Sequence, residues 1–254
     1  MKAVSEGRAS VLVLRPEPEA ADTGRRVEAL GWRAVVSPLL RIEPGEPVRS
    51  LAGFDALVLS SPRAVPFAPP GPAFVVGERT ASLWRERGGT VLAWAPDGAT
   101  LAARIRDRKP RRLLHPSARE VAFDLGAALA PVIEVERRTV YEAVPVPLGR
   151  EAREAVRRGG ATALLTSPRI ASLLAKQVRP GREAGPEREA GPARENGPAR
   201  ENGKVRALAI SPAAARAWGG PALVAPRPTV KALLALLGSP ADLGPPANEG
   251  PPAR

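Results

Sequence analysis

Apolar residues in this chain come in short runs, each closed by a polar or small turn and followed by a stretch with helical spacing. Val11–Leu14 opens the series, with a helix expected over about 20–30 and a second strand over 33–39. A hundred residues later the same plan returns: a strand at 112–114, a helix over 121–129 and a strand over 132–136. Each copy then leaves through a Pro-punctuated extended piece, LLRIEP in the first and TVYEAVPVP in the second. Short strands alternating with helices are the pattern of α/β units, because a parallel strand pair needs a crossover long enough to hold a helix.

The repeat is visible in single positions. Leu14-Arg15-Pro16 matches Leu114-His115-Pro116, and at the same offset Arg41 faces Tyr141. Leu59-Ser60-Ser61-Pro62-Arg63 matches Leu165-Thr166-Ser167-Pro168-Arg169 at an offset of 106. The stretch from Val76 through Trp84 matches that from Ile210 through Trp218 at 134. Nearly all of this jump of 28 comes from a run of hexads, REAGPE, REAGPA, RENGPA and RENG, that starts at Arg182, together with its flanks. Such a run offers no apolar side chain larger than alanine and cannot bury a core. Residues 181–204 are therefore expected as a disordered insertion in a surface loop, and the Pro- and Gly-rich stretch 238–254 as a disordered tail.

Composition narrows the chemistry. With no Cys there is no disulfide framework, thiolate metal site or Cys nucleophile, and with one His, His115, a multi-His metal site is excluded. The formal charge is +12, but the Arg residues are scattered and aromatics are 4% of the chain. Nucleic-acid binders cluster their bases and interleave aromatics for stacking, so no nucleic-acid partner is expected, and a polyanionic small molecule suits the charge. No run approaches the ~18 apolar residues of a membrane span, and the N-terminal residues form no apolar leader, so a soluble, cytoplasmic protein without a membrane partner is expected.

The Ser-Pro-Arg pair is the most informative motif. In an open α/β sheet, ligands sit beyond the carboxyl ends of strands, where loops meet helix N-termini. Ser60, Ser61, Thr166 and Ser167 stand at two such ends, and Thr80 and Ser211 at two more. Their hydroxyls and the following amides could bind carboxylates or phosphates. The same residues would also serve as ordinary N-caps with Pro at the first helical position. Neither a G-x-G nor a G-x-x-x-x-G-K-[ST] signature occurs, so a nucleotide cofactor is not expected. His115, just after a strand, reads as an incidental loop residue. Tyr141, the only tyrosine, reads as a packing residue with its hydroxyl at the surface.

Taken in order, RPEPEAADTGRRVEALGWRAVVSPLLRIEP, FDALVLSSPRAV, VVGERTASLW, RTVYEAVPVP, ALLTSPRIASLL and APRPTVKALLALL resemble the uroporphyrinogen-III synthase family. The resemblance spans about 11–237 apart from the hexads. It implies two flavodoxin-like parallel-sheet α/β domains joined by a two-stranded connector, with the active site in the cleft between them. The halves would be exchanged: 1–40 with 147–237 in the first domain, and 46–138 in the second. It further implies a hydro-lyase that cyclises hydroxymethylbilane to uroporphyrinogen III, with inversion of ring D and loss of water, needing no metal or organic cofactor. A non-catalytic tetrapyrrole-binding regulatory module of the same fold is the alternative.

Carried over residue by residue, the resemblance gives Tyr141 the catalytic role of helping the ring A hydroxyl depart. It assigns substrate binding to Thr80 of the G-x-x-T-A motif, to the strand-end Ser61 and Ser167, and to Thr229 of the C-terminal Pro-Thr. The strand-end reading adds Ser60, Ser211, Arg15, Arg63 and Arg169 as groups for the substrate carboxylates. The second-half counterpart of Thr80 is Ala214, which departs from the threonine many members keep. The family also implies a cytoplasmic monomer coupled functionally to hydroxymethylbilane synthase.

Overall fold

The computed structural model describes residues 10–179 and 205–240. In chain order it begins with β1 (Ser10–Val13), α1 (Glu19–Ala29), β2 (Arg33–Val36) and β3 (Leu40–Pro44). Next come β4 (Ala56–Leu59), a 3-10 helix (Pro62–Phe67), β5 (Pro72–Val76), α2 (Glu78–Glu86), β6 (Thr90–Ala95) and α3 (Gly98–Arg108). β7 (Arg112–Ala118), α4 (Leu125–Leu129) and β8 (Glu134–Pro145) follow. The last run is α5 (Arg150–Arg158), β9 (Ala161–Leu165), α6 (Pro168–Val178), β10 (Val205–Ala209), α7 (Pro212–Trp218), β11 (Leu223–Val224) and α8 (Val230–Ala235). The described residues divide into two compact units, those within 1–41 and 145–254, and residues 42–144. The hexad run and all but the first three residues of the expected tail lie outside the described residues.

The first unit holds a five-stranded sheet in the order β11-β10-β9-β1-β2, parallel at every pair. Strand order reverses between β1 and β9: β1 leads outward to β2 on one side, and β9 leads to β10 and β11 on the other. This is the flavodoxin-like order. Strands β1 and β9 are buried along their whole length, as a parallel sheet covered on both faces requires. Val11, Val13, Val27, Trp32, Leu164, Leu208 and Leu233 form one of its cores.

The second unit's sheet has the order β3-β8-β7-β4-β5-β6. Pairs from β8 through β6 are parallel, and β3 joins at the edge, where the Gly45 amide donates to the Val140 carbonyl at 2.8 Å. Without β3 its five strands are a circular permutation of the first unit's: β7 and β8 stand where β1 and β2 stand, and β4, β5 and β6 where β9, β10 and β11 stand. The sequence repeat therefore corresponds to a repeat of sheet position, with the first strand-helix-strand unit paired to the C-terminal half of the chain.

Several element boundaries differ from expectation. The strand expected at 112–114 runs on to Ala118, and the helix expected over 121–129 is confined to Leu125–Leu129. Asp124 sets that start by accepting from the Ala127 amide at 3.0 Å as N-cap. The strand expected over 33–39 stops at Val36, before Pro38, which has no amide hydrogen for a ladder. The strand expected over 132–136 and the extended piece that follows it form one twelve-residue strand, β8.

Candidate functional site

All strands of the parallel core point one way within each unit, so each unit gathers its strand-end residues on one edge of its sheet. In the second unit, Ser60 and Ser61 follow β4, and Thr80 lies in the first turn of α2, after β5. Gly77 begins that helix at φ 84°, a left-handed conformation that a side chain would strain. Tyr141 reaches the same edge because it pairs with Ala118, the last residue of β7. The reversal of strand order in this sheet falls between β4 and β7, where open α/β sheets bind their ligands. In the first unit the corresponding point lies between β1 and β9, which are followed by Arg15 and by Thr166-Ser167.

Four of the expected binding hydroxyls are helix caps. Ser61 accepts from the Arg63 amide at 3.2 Å, Ser167 from Ile170 at 3.2 Å, Ser211 from Ala214 at 3.3 Å and Thr229 from Ala232 at 3.2 Å. Pro62, Pro168 and Pro212 fill first-turn positions in three of these helices, where a missing amide hydrogen costs nothing. The capping geometry uses oxygen lone pairs and leaves each hydroxyl hydrogen available for donation. Ala214 is fully buried, and no side-chain hydroxyl stands at that position.

Thr80 and Tyr141 are different. Both residues are buried, at 2% and 6% exposure. The Tyr141 ring packs among Leu59, Val65, Trp84 and Leu114, and stacks on Phe67 with centroids 6.4 Å apart and planes at 23°. Every fully buried side-chain polar atom among the described residues has a hydrogen-bond partner. The Tyr141 and Thr80 hydroxyls bond to no described residue, so both oxygens reach solvent at the sheet edge. A rigidly held ring with a free hydroxyl is poised to donate a hydrogen bond or a proton.

Arg15, Arg63 and Arg169 are half-buried at the strand ends, with Arg15 donating to the Thr23 hydroxyl at 3.5 Å. None of the expected site residues lines the pocket of about 390 Å³ beside β6, which Arg85, Trp94 and Arg104 help to form. A carboxylate held below its usual range stands at the opposite edge of this sheet. There Asp55 accepts the Arg111 and Arg112 amides at 2.6 and 2.9 Å, and these bonds, the Arg112 bond foremost, hold its carboxyl below the usual range.

His115 is the residue that sequence reasoning misplaced. It is not in a loop but inside β7, 2% exposed, with Nε2 2.8 Å from Ser60 Oγ. Burial, reinforced by the Arg137 charge and opposed by Asp124, lowers the imidazole pKa from 6.5 to about 4, so the ring is neutral near pH 7. The hundred-residue repeat contained the signal: His115 is the counterpart of Arg15, at the strand beside the reversal point of its own sheet.

The family profile of uroporphyrinogen-III synthase HemD matches residues 21–235. A search of curated proteins found no match. The fold is similar to that of the uroporphyrinogen-III synthetase of Helicobacter pylori, at 17% identity and a TM-score of 0.58, covering 91% of this chain and 98% of that one. It is similar also to a mutant uroporphyrinogen III synthase of Thermus thermophilus, at 16% identity and a TM-score of 0.54, covering 92% and 98%. At these identities the structural likeness speaks to the fold, while the profile speaks to the family. No helix among the described residues is long and apolar enough to cross a membrane.

Proposed function

This chain belongs to the uroporphyrinogen-III synthase family and makes uroporphyrinogen III; we propose that it does so as a cytoplasmic, monomeric hydro-lyase acting on hydroxymethylbilane. The reading is carried by one observation: Tyr141 presents a solvent-reaching hydroxyl from a packed ring, on the sheet edge that also bears Ser60, Ser61 and Thr80. In this proposal the Tyr141 hydroxyl assists the ring A hydroxyl as its C–O bond breaks and water leaves. Ring D attacks the azafulvene carbon so formed through the α-carbon that carries its bridge. The bond to that bridging carbon breaks and is remade at the ring's other α-carbon, which gives up its proton. Ring D is thereby inverted, and the net loss is one water. Ser61, Ser167, Ser211 and Thr229, with Ser60, Thr80, Arg15, Arg63 and Arg169, hold the acetate and propionate groups by hydrogen bonds and charge. Because the substrate ionises readily, most of the acceleration comes from holding it folded with the reacting carbons close. Hydroxymethylbilane synthase, which would supply the substrate, is the proposed functional partner.

The test is isomer analysis. Free hydroxymethylbilane closes to the symmetrical type I product, so purified protein is expected to divert it to type III. Exclusively type I product across a range of protein amounts would overturn the lyase reading.

A further inference from the structure

We propose that His115 is a positioning residue for this reaction, one that fixes the Ser60 hydroxyl at the carboxyl edge of the second unit's sheet. The inference rests on the proposed role of Ser60 as a substrate-binding group. A serine hydroxyl at a strand end is a free rotor with three staggered positions, and on a wet edge it would sample all of them. Ser60 does not, because its oxygen lies 2.8 Å from His115 Nε2.

The imidazole is a rigid anchor for three reasons. His115 sits inside β7: it pairs with Arg137 of β8, and the parallel ladder to β4 fixes the strand up to the residue before it, with Ala56 against Leu113 and Leu57 against Leu114. Its side chain is buried, so its rotamer is set by packing. Its charge state is also set: burial and the facing Arg137 both oppose protonation, leaving one N–H and one lone pair on the ring. Nδ1 bonds to no described residue and so touches solvent, by the same reasoning as the Tyr141 hydroxyl.

A serine–histidine contact also suggests nucleophilic catalysis, but the geometry argues against that use. A base with a pKa near 4 is too weak to take a serine proton near pH 7. No carboxylate among the described residues is hydrogen-bonded to the ring to orient it, and Asp124 caps α4 by accepting from the Ala127 amide. What remains is a hydrogen bond that aims one hydroxyl, beside the strand-order reversal where the sheet is expected to meet its ligand.

Steady-state kinetics with hydroxymethylbilane on Ser60→Ala, His115→Phe, the double variant and His115→Gln test this. Either single loss should raise KM roughly three- to tenfold, the range expected for one neutral hydrogen bond, with kcat within about twofold. The double variant should be no worse than the worse single, because both remove the same contact. His115→Gln, which can still bond to Ser60, should recover most of the loss. His115→Met serves as a second apolar variant should His115→Phe fail to fold. A folded apolar variant with unchanged KM, beside a raised KM in Ser60→Ala, would overturn the positioning role and leave the role of Ser60 standing. Losses that multiply in the double variant would overturn it too. An unchanged KM in Ser60→Ala would remove the substrate role of Ser60, and with it the proposal. The type III product of the unaltered protein tests the lyase reading independently of these variants.

Discussion

Acid should destabilise this protein through His115 over a defined window. The imidazole pKa is about 4 in the folded chain, pulled down from 6.5 mainly by burial and then by Arg137, with Asp124 acting in the opposite sense. Above pH 6.5 the ring is neutral in both states and contributes no pH dependence. As pH falls from 6.5 towards 4, the unfolded chain takes up a proton that the folded chain refuses, so stability falls with pH and the loss levels off below 4. The difference between these values corresponds to roughly 3 kcal/mol, a large part of the 5–15 kcal/mol that usually separates folded from unfolded chains. For a unit of about 100 residues, the size of the one that holds His115, it amounts to about 12–24 °C in Tm.

The assay is thermal unfolding by circular dichroism from pH 7 to 4.5, on the natural sequence and on His115→Gln. Asp55, Asp97 and Glu154 also hold lowered pKa values through hydrogen bonds, but they are present in both proteins and cancel in the comparison. The natural sequence is expected to be the more stable at pH 7 and to lose most of that lead by pH 4.5. Two Tm curves that run parallel across the window would refute the reasoning, because His115 would then titrate like an exposed histidine.

Tyr141→Phe keeps the stack on Phe67 and should leave Tm unchanged while lowering kcat at least about tenfold, which is roughly 1.4 kcal/mol; a rate within twofold of the original would return Tyr141 to a packing role. Gly89→Ala would place a Cβ 2.1 Å from Cε2 of the fully buried Trp84, whose Nε1 donates to the Gly71 carbonyl at 3.3 Å. Overpacking of this kind costs about 1–3 kcal/mol, so Tm should drop by several degrees, and an unchanged Tm would contradict the packing described. Ser167→Ala removes the cap of α6 and should cost about 0.5–2 kcal/mol in denaturant titration; restoration of stability by Asp or Thr, but not by Val, separates capping from bulk.

Local physics made part of this protein legible in its residues alone. Ser-Pro at 61–62, 167–168 and 211–212 reads as cap and first turn because hydroxyl, amide and ring all lie within one helical turn. The strand at 11–14 reads from its apolar run, and the repeat of LSSPR in LTSPR marks equivalent strand ends. Tyr141 was singled out by family resemblance, whereas its free hydroxyl depends on packing by Phe67, Leu59 and Trp84 from other elements. His115 shows the limit most sharply. Its neighbours in sequence, a strand before and a proline after, are those of a loop residue. Its actual state depends on Ser60, 55 positions away, and on ladders to β4 and β8. The length of β8 and the pairing of β1 with β9 are of the same kind. Sequence by itself determined which segments are strands, caps and turns, because those preferences act over a few residues. Tertiary structure alone decided which strands lie side by side and which polar groups are buried against one another, because those energies exist only once distant segments meet.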